Sequence, residues 1–356
     1  MSVSSNKPGY LPYLHAFRGI AILSIIGAHA WSVLGSVSGA QENNPDYIWL
    51  YSVTETVFHG STLFFALISG ILYTRVLRGK SWGHFFRSKA AHVFLPYALL
   101  TIFFTVLAWP DYLAYGKANG ITFFFPEELS KNLVFGQVQT HLWYIPVLAV
   151  LFLCTPLLNA LLKPGKGIGL LALALMPLVI SRTPFPDLIS WKSVAFFLGA
   201  YAFGIYLGER LEAMLILVKR HLPALLFLLL AFTAVNFLLF RWDYVAGGFT
   251  SLHQSVVYSQ KMLMAVLILY ALHAREARLP NALMVLGTYA FSLYFLHFTF
   301  VWLLSEAFAK HMPDADTLGI TLAGLGIYLL TVFASLLLSM GIRKLLGRYS
   351  RYLIGT

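Results

Sequence analysis

Ten separate runs of mostly apolar residues, each about 20 long, are spaced along this chain of 356 residues and leave it essentially one kind of fold. A helix of that length crosses the hydrocarbon core of a bilayer. In lipid every backbone N–H and C=O must be paired within the protein, which excludes open strands. The runs fall at residues 14–36, 56–76, 90–110, 141–162, 168–184, 190–208, 221–240, 256–273, 283–306 and 318–342, and Pro177 interrupts the short fifth one. Only 11% of the residues are charged and 59% are hydrophobic, against about 25% charged in soluble domains. A water-soluble fold would have to expose that apolar area in large patches. The sequence therefore predicts an all-α polytopic membrane bundle of about ten transmembrane helices, forming one transmembrane domain over residues 1–356 with no appended soluble domain. The first run is too long for a signal-peptide core and lacks a small-residue cleavage site after it, so it reads as a retained span.

Charge sets the orientation. With the N-terminus inside, 17 of the 25 Lys and Arg residues fall on the cytoplasmic side and seven outside, Lys261 among the seven, while Arg18 lies within the first span. Short, basic inner loops are the usual cytoplasmic signature, so both termini are expected in the cytoplasm. This topology accounts for the net charge of +11 without a nucleic-acid partner, the other common reading of a basic chain. The one cysteine, Cys154, can form neither an internal disulfide nor a Cys-rich metal site. No histidine pair has the spacing of a zinc motif, and no metal is expected. The two longest outer loops, about 37–55 and 111–140, carry Trp49, Tyr51, Trp109, Tyr112 and the run Phe123–Phe125. They read either as interfacial anchors or as a lid or acceptor groove over the bundle.

Ionisable residues inside spans are expensive and mark function. Arg18 and His29 stand eleven positions apart in FRGIAILSIIGAHA. That is close to three helical turns, so both point to one face, roughly 16 Å apart along the axis. A permanent cation near the cytoplasmic end and a neutral-capable base in the outer half suit proton transfer coupled to binding of an anion. Taken singly, Arg18 reads as a snorkelling side chain and His29 as a histidine bonded to a neighbouring helix. His59, Ser69, His141, Trp143, Ser292, Tyr294 and His297 are the other polar or aromatic candidates in or at the ends of spans. Ser69-Gly70 also reads as a site of close helix packing. Ser292 and His297, five apart, lie about 140° apart around a helix and cannot both face one cavity squarely.

Arg-x10-His in the first span resembles the hallmark of the membrane acyltransferase-3 family. LFFALISGILY (Leu63–Tyr73), HLWYIP (His141–Pro146) and GTYAFSLYFLH (Gly287–His297) are similar to three further motifs of that family, in the same order. Where the family commonly has two arginines before a proline at the start of the third span, this chain has Arg87, Lys89 and His92 before Pro96. The resemblance implies a stand-alone O-acyltransferase in a bacterial cytoplasmic (inner) membrane. It would move an acyl group, by default acetyl, from cytoplasmic acetyl-CoA to a hydroxyl of an extracytoplasmic polysaccharide or lipid-linked saccharide. His29 would be the general base or a transient acyl carrier. Arg18 would orient a CoA phosphate or carbonyl, or support the surroundings of His29. His141, Trp143, Ser69, Ser292, Tyr294 and His297 would contact substrate, and Arg75, Arg87 and Lys89 the CoA phosphates. Membrane lipid is the surrounding partner.

A transporter with a histidine proton relay is the rival reading. It calls for repeated halves with paired broken helices, and no matching halves are visible.

Overall fold

A computed structural model describes residues 10–40, 46–162, 167–183, 187–241, 251–313 and 315–356. Each of the ten apolar runs contains helix, and no strand occurs among the described residues. Seven helical segments are long and apolar enough to cross a membrane. They are α1 (Pro12–Val37); α2 with α3 (Tyr47–Phe58 and Thr62–Leu72); α4 with α5 (Trp82–Lys89 and Leu95–Asn119); α11 (Leu222–Arg241); α12 (Leu252–Ala274); α13 (Asn281–His311); and α14 (Thr317–Leu346). An eighth is completed if α9 (Trp191–Glu209) is joined to α10 (Leu211–Arg220), which leaves it at 93°. The fourth and fifth runs form the shorter helices α7 (Tyr144–Ala160) and α8 (Gly167–Leu175). A short helix α6 (Phe125–Phe135) lies between α5 and α7.

Two glycine crossings hold the centre. Gly19 and Gly287 let α1 and α13 meet backbone to backbone: a Cβ on Gly19 would lie 2.7 Å from the Leu283 carbonyl oxygen, and one on Gly287 would overlap the His15 carbonyl. Beside this crossing, His15 Nε2 lies 3.0 Å from both the Met284 carbonyl and Thr288 Oγ1. Gly70 and Gly204 do the same for α3 and α9, where a Cβ would overlap the carbonyls of Tyr201 and Leu67. Small residues at such crossings let packing and carbonyl contacts drive association where lipid offers no hydrophobic force. Replacing Gly204 by Val forces these backbones apart. It is expected to lower stability by about 1–3 kcal/mol, read as a lower unfolding temperature in detergent.

At the basic end of the bundle, Arg75 pairs with Glu212 at 2.7 Å and Arg78 with Glu209 at 2.6 Å. These pairs tie the turn following α3 to the α9–α10 bend. Leu211, Leu215 and Val218 of α10 face the core, while Lys219 and Arg220 face outward. That is the pattern of a helix lying along an interface.

The second run is not one continuous helix. α2 ends at Phe58, His59 leaves the helical region (φ −57°, ψ 143°), Gly60 takes φ +75°, and the helix restarts at Thr62. Only glycine accepts that φ without strain. The break strands carbonyls at the end of α2. Lys261 of α12, wholly buried, donates from Nζ to Thr56 O (3.1 Å) and Val57 O (2.8 Å). A cation's hydrogen bonds suit a helix C-terminus.

The outer loops are more helical than their composition suggests. Residues 47–58 are already helix, α5 runs on to Asn119 with Pro110 inside it, and α6 fills most of the remaining stretch.

Candidate functional site

Three helices bring three histidines together. His29 comes from the outer half of α1, His141 from the turn leading into α7, and His297 from the middle of α13. Ring centroids lie 5.4 Å apart for His29–His297, 4.7 Å for His141–His297 and 6.4 Å for His29–His141. Phe298 closes the group, 5.4 Å from His29 and 5.3 Å from His141. Tyr294, one turn below His297, donates its hydroxyl to the His141 carbonyl and so fixes the turn that carries that ring.

The hydrogen-bonding state of this group is informative. His297 Nδ1 sits 3.0 and 2.9 Å from the carbonyls of Leu293 and Tyr294. Carbonyls only accept, so Nδ1 carries the proton and Nε2 presents a lone pair. That Nε2 is buried with no hydrogen-bond partner, and so are both ring nitrogens of His141. Buried polar atoms are almost always satisfied, and exceptions call for a functional explanation. His29 is half-buried beside them. The trio thus concentrates lone pairs and at least one free N–H in an apolar enclosure. Among the described residues no three His, Cys, Asp or Glu side chains are arranged to hold a metal ion.

A chamber with about 300 Å³ of empty space adjoins Tyr294 on the side away from His297, lined by Phe65, Ser69, Tyr144, Leu148 and Phe291. Ser69 therefore borders a space as well as preceding the Gly70 crossing. Ser292 is fully buried and returns its hydroxyl to the Tyr289 carbonyl at 2.9 Å. Trp143 lies on the outer side, against Phe197 (5.4 Å) and Tyr144 (6.0 Å).

Arg18 is half-buried about three turns below His29 on α1. Lys89, at the end of α4, feels its charge. Lys89 Nζ otherwise rests over Phe152 at 4.4 Å and Phe85 at 5.5 Å. Among the described residues no carboxylate comes within ion-pair distance of either cation. Arg75 is engaged with Glu212, and Arg87 is exposed.

A second polar group was not legible as a unit. His59 Nδ1 is 2.6 Å from Glu55, and Arg182 Nη2 is 2.6 Å from His59 Nε2. The guanidinium can only donate, so His59 accepts at Nε2 and donates from Nδ1 to the carboxylate. Glu55 and Lys261 are buried, although position along the sequence had assigned Glu55, Arg182 and Lys261 to outer loops. The available signals were the i, i+4 spacing of Glu55 and His59 and the lone cation inside the eighth run.

A family model described as an acyltransferase domain matches residues 11–343. At the same level of significance, no curated protein and no solved structure matches the chain.

Proposed function

Because the chain belongs to the acyltransferase 3 family over nearly its whole length and is an integral membrane protein, we propose that this acyltransferase moves an acetyl group from cytoplasmic acetyl-CoA to a hydroxyl of an extracytoplasmic polysaccharide or lipid-linked saccharide. The observation that carries the reading is the arrangement along α1: a buried histidine trio in its outer half and two cations without carboxylate partners, Arg18 and Lys89, towards its basic end.

Arg18 and Lys89 hold the phosphates of the donor, and the thioester reaches up through the chamber beside Ser69 and Tyr294. The lone pair of His29 takes the proton of the acceptor hydroxyl. The oxygen attacks the thioester carbonyl carbon, and the free N–H of His141 donates to the resulting oxyanion. Collapse re-forms the carbonyl and breaks the C–S bond, and the departing thiolate takes the proton from His29. Ester and free CoA leave. Phe298 and the surrounding apolar walls keep water out, so hydrolysis does not compete.

The test is a purified protein in lipid nanodiscs, supplied with labelled acetyl-CoA and polysaccharide. Acceptor-dependent CoA release with label on the glycan is expected, and saccharide flux without acyl transfer defeats the proposal. Arg18→Gln is expected to raise the donor KM by about ten- to a hundredfold, the equivalent of one charge-assisted contact to phosphate, with a smaller change in kcat.

A further inference from the structure

On the outer side a cavity of about 500 Å³ opens between the α6–α7 connection and the segment 187–189 that precedes α9. None of the family motifs predicts it. Its walls include Trp143, Gln137, Thr140, Asp187 and Lys131. Thr140 and Trp143 flank His141 in the chain, so its lining is continuous in sequence with the reaction centre. Gln139, next to Thr140, bonds Thr299 of α13 at 3.0 Å, which ties this wall to the helix bearing His297. Gly136, at φ +60°, lets the connection lie against the backbone at Leu142 and Trp143.

We propose that this cavity is the acceptor subsite and that it selects an uncharged sugar residue over an acidic one. The proposal rests on the acyl-transfer reading above and adds the substrate class. The volume falls within the range of roughly 300–1,000 Å³ usual for small-molecule sites. Trp143 offers an aromatic wall to the apolar face of a pyranose. Gln137 offers a donor and an acceptor, Thr140 a hydroxyl, and Asp187 a carboxylate that accepts from sugar O–H groups. Lys131 is spoken for: its Nζ lies 2.8 Å from Glu127 and 2.8 Å from Glu128. Hydrogen bonds from Glu127 and then Glu128 raise its pKa and keep it charged. Two carboxylates thus face one ammonium, and Asp187 adds a further negative charge to the wall. A uronate or phosphorylated acceptor would bring like charge against Asp187, an arrangement that interfaces penalise heavily.

The full-length protein in nanodiscs, with acetyl-CoA as donor, is assayed by CoA release against p-nitrophenyl hexopyranosides and the matching glucuronides. Wild type is expected to use the neutral glycosides and reject the glucuronides. Trp143→Ala and Asp187→Asn are expected to raise the KM for the neutral acceptor by about tenfold, with kcat within about twofold. Trp143→Phe should recover most of the loss, which separates recognition from a folding defect. Asp187→Lys should admit the glucuronide. Unchanged acceptor KM values in these variants, alongside lost transfer in His29→Ala, overturn the subsite and leave acyl transfer standing. A wild type that prefers glucuronides overturns the selectivity. A wild type that releases no CoA with any sugar overturns subsite and acyl transfer together.

Discussion

His29→Ala is expected to abolish acceptor-dependent CoA release to within about 10²–10⁴-fold of wild type, the contribution of a positioned general base and equivalent to roughly 3–5 kcal/mol of barrier. His29→Gln should be equally poor, since an amide can hydrogen-bond a hydroxyl but cannot take its proton. The donor KM should stay near wild type in both variants, because the cations proposed to hold the donor sit about three turns away along α1. His141→Ala should lose less, by about 10²–10³-fold, as the loss of one oxyanion donor does elsewhere. The alternative role for His29, a transient acyl-imidazole, separates cleanly. It predicts an acylated His29 peptide when the enzyme is quenched with donor and no acceptor, whereas direct attack predicts none. A His29→Gln enzyme within threefold of wild type would move the base elsewhere, with His141 next in line by virtue of its unpartnered nitrogens.

The second large effect concerns stability. Lys261→Met removes the donor that serves two stranded carbonyls, Thr56 O and Val57 O, where α2 stops short of α3. Gln260 Nε2 also reaches Thr56 O at 3.3 Å, so that carbonyl keeps a weaker partner and Val57 O loses the Lys261 bond. It also leaves the buried Glu55 without the charge of Lys261. The expected loss is about 2–3 kcal/mol, measured as a fall in the temperature at which the protein leaves its monodisperse peak. Glu55→Gln in the same chain should restore part of that loss, because it removes the charge left behind. Additive losses in the double variant would mean that the two side chains act independently.

These two predictions also mark what was legible from sequence. The spans were, because an apolar run of that length has no alternative to crossing lipid. The phase of Arg18 and His29 was, because eleven residues nearly complete three turns. The angular separation of Ser292 from His297 was foreseen, and Ser292 bonds its own helix instead of joining the trio. The convergence of His141 and His297 on His29 depended on motif resemblance, since residues more than a hundred positions apart carry no spacing signal. The break at Gly60 was hidden, because the surrounding residues keep the apolar pattern of an unbroken helix and the interruption is stabilised by a lysine two hundred positions away. Glu55, Arg182 and Lys261 were assigned to loops by the habit of placing charges in water. Each buried charge in fact has partners supplied by a distant element, and such pairing is a tertiary property. Bend residues such as Arg210 likewise read as the end of a span, without showing that the next helix turns through 93°.

The two glycine crossings have a mechanical consequence. α1 and α13 are interlocked at Gly19 and Gly287, and α3 and α9 at Gly70 and Gly204, so neither couple slides internally without a carbonyl striking a backbone. The salt bridges from Arg75 and Arg78 clamp the second couple again at its basic end. Compliance is left to the joint between the couples, which runs past Phe65 and Ser69 on one side and Phe291 and Tyr294 on the other. A bulky thioester threading towards the histidines therefore parts two stiff plates along one line, as a key parts the leaves of a lock, and every helix keeps its own register while it passes.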